Sequence, residues 1–341
     1  MPKCPYYTQT KSEYQGSTNI GAVHLAVPLP ARGRYRFDVV GFGLNTTDLL
    51  AVVAEHPQPN TKQAIRHLEC SPGGQAATAM ATCARLGWAA RYIGCFGGDA
   101  NAAGGRESLL RVGVDLTASR IVEDATNAFS LIIVDERTGN RTVLWSRHPG
   151  LTFSAADVQA DAVCSGRVLL VDCHETAAST AAAGYAQLLG IPTVIDVERV
   201  RPGIEELLHR IDVIITAEEF PAELTGISDP GKSLRVLAET YRPVMVCMTL
   251  GSEGSLALVN GVEIRTRGYR VPVIDTTGAG DVFRGGFIAG WLRGGATVEV
   301  EEVLAYANAT AALNCRGLGS RTGIPRRAEV DALLRSGDRT I

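Results

Sequence analysis

Two hydrophobic rhythms alternate along most of this chain. Short, almost uninterrupted apolar runs read as strands covered on both faces: FDVVGFG from Phe37, AARYIGCF from Ala89, VLLVD at 168–172, PTVID at 192–196, DVIIT at 212–216 and VMVCMTL at 244–250. Between them lie stretches of helical period, many rich in alanine: Gly73 to Leu86, from about Glu107, 176–189, 203–209 and a pair ending near Tyr241. Strands separated by helices pair in parallel, so the pattern predicts an α/β fold, a doubly wound, mostly parallel sheet flanked by helices.

Two segments, about 49–70 and 117–147, carry strand-like text without a crossover helix, which predicts a small inserted antiparallel β lid. Within the second, SLIIVDERTGNRTVLW reads as a hairpin with a polar turn containing Gly139. Such an insertion is a flap over a site, a dimer surface or a bland excursion, and the pattern does not choose among them. Residues 1–33 are polar, carry Pro28 and Pro30 and show no period, so they are expected to form a flexible extension. A single domain over 34–330 and a C-terminal tail at 331–341 complete the expected organisation.

Composition narrows the function by exclusion. With 33 basic against 36 acidic residues the net charge is −3, so no general attraction to nucleic acid or to an anionic membrane is built in. Any anion must therefore be held locally. The 341 residues, 45% hydrophobic and 20% charged, are enough for a large core and exclude dominant disorder. Eight cysteines include no CxxC pair, the pattern of reduced thiols rather than of zinc ligands or disulfides. No run approaches a membrane span and the start lacks the apolar core of a signal peptide, so the expected compartment is cytoplasmic.

The most informative stretch is Asp275-Thr-Thr-Gly-Ala-Gly-Asp281 and the helix predicted after it. Gly278 and Gly280 free the backbone to turn N–H groups toward one point, and a helix N-terminus adds unpaired donors and about half a positive charge. That is a cradle for an anion. Asp281 by itself is explained as an acid favoured by the helix dipole, worth about 0.3–1 kcal/mol. However, Gly285, Gly286 and Gly290 each cost the same helix roughly 1 kcal/mol against alanine. Glycine in those places lets backbone or ligand approach closely, which favours a catalytic Asp281.

DTTGAGDVFRGGF resembles the signature of the ribokinase/PfkB family of carbohydrate kinases, and the likeness runs from residue 36 to about 330. The resemblance implies a ribokinase-like fold, ATP and Mg2+ as cofactors, and a small sugar as phosphoryl acceptor. Carried onto the matching positions, it makes Asp281 the general base and gives Gly278, Ala279 and Gly280 the amides that hold the phosphate. It also implies a potassium ion beside the cradle, held by Asp275, Thr277 and the 316–321 loop, and a homodimer formed through the lid.

Other segments match in the family's order. Ser71-Pro-Gly73-Gly74-Gln-Ala-Ala-Thr78 resembles its GG-x-x-A-N sugar-contact turn, with Thr78 in place of asparagine. Gly41-Phe-Gly-Leu-Asn45-Thr-Thr-Asp48 is similar to its G-x-x-N-x-D stretch with one extra residue, which points to Asp48 and Asn45 as acceptor contacts; a turn-forming pair is the other reading. Thr249-Leu-Gly251-Ser-Glu-Gly254 resembles the nucleotide segment T-x-G-x-x-G, although a tight hairpin turn has the same letters, and Asn308 lies on a helix like the one bordering the adenine in relatives. Gly94-Cys-Phe-Gly-Gly-Asp99 is taken as structural. Many relatives carry Asn-x-x-Glu for Mg2+ and phosphate where this chain has Thr216-Ala-Glu218-Glu219-Phe220.

Two motifs are decoys. Gly226 to Ser233 matches the P-loop pattern, but helical text precedes it and Pro230 removes a donor. Gly41-Phe-Gly43 lacks the third glycine of a dinucleotide fingerprint, since position 46 is threonine. Asp172, His174, Glu175, Arg147 and His148 carry no metal pattern. The sequence therefore predicts an ATP-dependent kinase acting on a sugar hydroxyl, with no nucleic-acid or membrane partner. A nucleoside or phosphosugar kinase of the same fold is the first alternative, and a nucleotide- or sugar-binding regulator without turnover the second. A phosphorylated acceptor calls for basic side chains, which these segments nearly lack.

Overall fold

The computed structural model describes residues 22–138 and 141–340. Eight strands form the central sheet in the order Val262–Thr266, Ser255–Val259, Met245–Thr249, Val213–Thr216, Thr193–Val197, Leu169–Asp172, Val39–Phe42 and Ala90–Ile93. The six from Met245–Thr249 onward pair in parallel, and the two at the first edge are antiparallel. The buried apolar runs form this sheet because alternate side chains enter opposite cores. Val39, Leu170, Val194 and Val213 face one cluster; Val40, Leu169, Ile195 and Ile214 face the other. Each fully buried aliphatic side chain contributes about 1.5–3 kcal/mol.

The first core is closed by the helices Gln75–Arg85, Ala279–Gly294 and Val300–Asn314, the second by Thr176–Leu188, Ile204–Leu208 and Pro230–Tyr241. The helix expected near Glu107 begins at Ala100, where the Asp99 carboxylate accepts the Ala102 N–H at 2.9 Å as its cap.

A second sheet runs Ile65–Gly73, Thr46–Val53, Phe129–Asp135, Arg141–Ser146. Its outer pairs are antiparallel, while Thr46–Val53 and Phe129–Asp135 pair in parallel. The turn residue Gly139 lies outside the described residues. This sheet starts at residue 46, so its first strand carries Asp48 at the base of the lid. From the last strand, Arg141 Nη1 donates to Thr276 Oγ1 at 3.2 Å, so the lid touches the cradle turn.

Both expected tails need correction. Residues 22–33 are docked: Leu25 is in the first core, Val23 O accepts the Val300 N–H at 2.8 Å, and Pro30 O accepts Arg167 Nε at 2.7 Å. The rest of that extension, 1–21, lies outside the described residues. At the other end, the helix Arg327–Ser336 buries Val330, and Thr340 N–H bonds to Gly268 O at 3.0 Å. Leu25 with Val23, Val27 and Leu29 anchors the first segment, and Val330 with Leu333 and Leu334 the second. The second carries the i, i+3, i+4 spacing of a short amphipathic helix, while the first is extended and has none.

Candidate active site

The cradle is built by one carboxylate and one glycine. Asp275 Oδ1 accepts from Thr277 N at 2.9 Å and Thr277 Oγ1 at 2.8 Å, while Oδ2 accepts from Gly319 N at 2.8 Å. Asp275 thus clamps the 275–278 turn to the 316–321 loop, the segments named for a cation. Gly278 caps the following helix at φ 73°, and a Cβ there would lie 2.8 Å from Ser320 Cα, so both conformation and space require glycine. The Ala279 N–H turns back to Thr276 O at 3.1 Å and Val282 N–H to Gly278 O at 2.9 Å. Among the described residues, the N–H groups of Gly278, Gly280 and Asp281 have no partner. Ala279, expected to contribute its amide, spends it inside the turn.

Asp281 is half-buried, and among the described residues no donor bonds to its carboxylate. Burial pushes its pKa well above the ordinary value; the Asp196 carboxylate adds to the rise and Arg284 opposes it. A carboxylate whose pKa is raised is a better proton acceptor than an ordinary aspartate. Beneath it, Arg284 Nε lies 3.0 Å from Asp196 Oδ1 and Nη2 donates to Ile215 O at 3.3 Å. Asp196 itself is pushed up to about 7, chiefly by burial. The sequence reading passed over this pair, although an arginine inside the apolar run VFRGGFIAGW was a visible signal.

The helix glycines serve helix packing, not ligand approach. A Cβ at Gly285 would lie 2.6 Å from Thr82 Cβ, one at Gly286 2.9 Å from Thr310 Cβ and one at Gly290 3.2 Å from Tyr306 Cβ. They let the Asp281 helix sit close against Gln75–Arg85 and Val300–Asn314.

Facing the cradle is a polar wall. Asp48 Oδ1 accepts from Thr46 Oγ1 at 2.9 Å and Oδ2 from Ser320 Oγ at 3.0 Å; burial raises its pKa, and these bonds oppose the rise. A Cβ at Gly73 would strike the Asp48 carboxylate, and one at Gly74 the backbone of Asn45. Asn45 Nδ2 is committed to Cys95 O at 2.6 Å and Tyr92 Oη at 3.2 Å. Its Oδ1 has no partner, and neither do Ser71 Oγ and Gln75 Oε1, at residues only 4%, 4% and 8% exposed. Three orphaned buried oxygens along one wall are what a hydroxylated ligand would satisfy.

The nucleotide candidates form a second locus. Thr249 Oγ1 donates to Thr216 O at 3.3 Å, and Gly251 and Gly254 take φ 54° and 97° in the turn after that strand. A Cβ at Gly254 would strike Thr266 O, so the tight-turn reading already accounts for this glycine. Asn308 Nδ2 bonds to Ser255 Oγ at 3.1 Å and Thr266 O at 3.2 Å, which fastens its helix to the same turn. Six residues on, about 9 Å along the helix axis, Asn314 Nδ2 donates to Thr277 O at 3.4 Å and Ser320 O at 3.2 Å. One helix therefore links the turn to the cradle.

The P-loop look-alike is a helix-to-helix junction. Phe220–Thr225 ends at Gly226, and Asp229 caps the next helix by accepting the Lys232 N–H at 2.8 Å. Asp172 is structural, accepting the N–H groups of Leu44 at 2.6 Å and His174 at 3.1 Å, and Glu175 pairs with Arg147. Glu218 and Glu219 stand exposed at a helix start.

A family model described as pfkB family carbohydrate kinase matches residues 36–327. The chain belongs to the PfkB family of carbohydrate kinases. It is accordingly a kinase, a phosphotransferase with an alcohol group as acceptor. The nucleoside kinase of Methanothermobacter thermautotrophicus is 26% identical over 308 residues, covering 86% of this chain and 94% of that protein. An ATP-dependent ribose-1-phosphate kinase of Halopiger xanaduensis is 29% identical over 299 residues, covering 87% and 97%. Arabidopsis thaliana ribokinase, solved with ribose and ATP, superposes with a TM-score of 0.74 at 23% identity, covering 88% of this chain and 99% of that one. The PfkB chain therefore shares the ribokinase fold. Among its described residues no helix is long and apolar enough to cross a membrane.

Proposed function

We propose that the chain transfers the γ-phosphoryl group of ATP to a hydroxyl of a small sugar, with Asp281 as general base. The observation that carries this reading is the juxtaposition of three unpaired amides at 278, 280 and 281, a base with raised pKa among them and a wall of unsatisfied buried oxygens opposite. Asp48 and the orphaned oxygens of Asn45, Ser71 and Gln75 orient the acceptor. As its oxygen bonds to phosphorus, the hydroxyl proton passes to Asp281; the bond to the ADP oxygen breaks, and the amides take up charge on the moving group.

The nucleotide would lie between the Thr249–Gly254 turn and the cradle, along the helix that carries Asn308. Magnesium supplies charge neutralisation on the phosphates when bound. Among the described residues no three His, Cys, Asp or Glu side chains gather as a metal site, which fits an ion held mainly by phosphate oxygens. Both Asp275 oxygens already accept protein donors, so a potassium ion would rely on carbonyls beside it. The relatives act on neutral and on phosphorylated acceptors, and the family alone leaves that choice open.

Incubating the purified chain with Mg-ATP and a panel of sugars, sugar acids, sugar phosphates and nucleosides, with coupled detection of ADP, tests the proposal. Acceptor-dependent ADP release with a sugar supports it. Release with nucleosides alone, or with no acceptor in the panel, overturns it.

A further inference from the structure

The acceptor wall contains a cation that lies outside every motif discussed for the acceptor. Arg321, on the loop clamped by Asp275, reaches beneath the first turn of the Gln75–Arg85 helix. Its Nε donates to Thr78 Oγ1 at 3.1 Å, Nη1 to Ser108 Oγ at 3.0 Å and Nη2 to the Gly73 carbonyl. All three acceptors are neutral. Among the described residues Arg321 forms no ion pair, and two of its five N–H groups, one on each terminal nitrogen, are left over.

A half-buried guanidinium whose bonds all go to neutral acceptors, with no carboxylate among the described residues in hydrogen-bond reach, is an expensive arrangement unless an anion completes it. Burial pushes the Arg321 pKa down to about 10, with Tyr92, Asp48 and Asp281 opposing the fall, so the group is charged at neutral pH. Thr78 strengthens the case. The resembled motif has a sugar-contacting asparagine there, whereas here the residue is a shorter threonine whose hydroxyl is occupied by Arg321 Nε. The position that would meet a neutral sugar is given over to fixing a cation. Gly73, whose carbonyl holds Nη2, packs against Asp48, so the charge stands at the acceptor end of the cleft.

We infer that Arg321 receives the anionic group, phosphate or carboxylate, of an acidic sugar acceptor. This rests on the sugar-kinase reading above and names the acceptor's class. Asp48 takes hydroxyls of such an acceptor, and Arg321 grips the anion through charge-assisted hydrogen bonds.

Calorimetric titration of the full chain with ribose 1-phosphate, gluconate and ribose, for wild type, Arg321→Gln and Arg321→Lys, tests this. Wild type should bind one of the two acidic probes about 100-fold more tightly than ribose, and which one identifies the anion. Arg321→Gln should collapse that ratio, and Arg321→Lys, which keeps the charge without the fork, should restore part of it. If Arg321→Gln does not fold, a reduced ratio in Arg321→Lys decides instead. Equal or tighter binding of ribose, no binding of any probe, or an equal loss for all three in the variants overturns the inference. Arg321-dependent acid binding without ADP release under Mg-ATP would sink the kinase reading and leave the Arg321 assignment standing; turnover of neutral sugars only would do the reverse.

Discussion

Replacing Gly285 by alanine tests whether close helix packing is what places the base. The new Cβ would lie 2.6 Å from Thr82 Cβ, 2.7 Å from Ala79 O and 2.9 Å from Thr82 Cγ2. The first two atoms cannot rotate away, so the Asp281 helix must move off its neighbour. Alanine gains about 1 kcal/mol of helix propensity over glycine, while overpacking costs about 1–3 kcal/mol. The net is a loss of up to about 2 kcal/mol, or a fall of several degrees in Tm at roughly 2–4 °C per kcal/mol. Gly104, in the helix Ala100–Arg111, is the control, because nothing lies within 4 Å of its added Cβ. There alanine should stabilise by about 0.5–1 kcal/mol. Thermal melts of both variants, with kcat alongside, give the comparison. Gly285→Ala should melt below wild type and lose turnover, since Asp281 lies one turn away on the displaced helix. A Gly285→Ala protein that melts as high as Gly104→Ala would refute the argument.

The electrostatics give a pH test. Asp196 helps hold the Asp281 pKa above its ordinary value, and turnover needs Asp281 ionised, so Asp196→Asn should move the acid limb of the kcat profile to lower pH. An unmoved limb, or an alkaline shift, contradicts it. With its folded pKa raised to about 7, Asp196 keeps a proton that the unfolded chain releases, so its contribution to stability is full at acid pH and lost as pH rises from about 4 to 7; denaturant melts across that window should show the decline in wild type and not in Asp196→Asn. Asp48→Asn should raise the KM of the acceptor by about 10- to 100-fold with little change for ATP, measured by coupled assay, because it removes a carboxylate that accepts hydroxyl protons. Lys232→Met should leave the KM for ATP unchanged, since its backbone joins a helix cap and its side chain is exposed; a tenfold rise would revive the P-loop reading.

The sheet was legible because its strands are covered on both faces and therefore read as continuous apolar runs between helical stretches. The cradle was legible because a turn of this kind needs glycine at 278, and its chemistry sits within seven consecutive residues. Arg321 and Ser320 were not, since they reach Gly73 and Asp48 across 248 and 272 positions of chain. No local period records a contact of that range. The Asp196–Arg284 pair was hidden for the same reason, and the helix glycines misled because a close neighbouring helix and a close ligand leave the same residue. Val23, Leu25 and Pro30 dock a segment that composition alone assigns to a loose extension.

The most direct test is the turnover of Asp281→Asn beside wild type, with Mg-ATP and the best acceptor, together with the ATP affinity of both proteins. The account predicts a kcat lowered by about 10²- to 10⁴-fold, with ATP binding and the melting curve retained. An Asp281→Asn protein that turns over at the wild-type rate would contradict it.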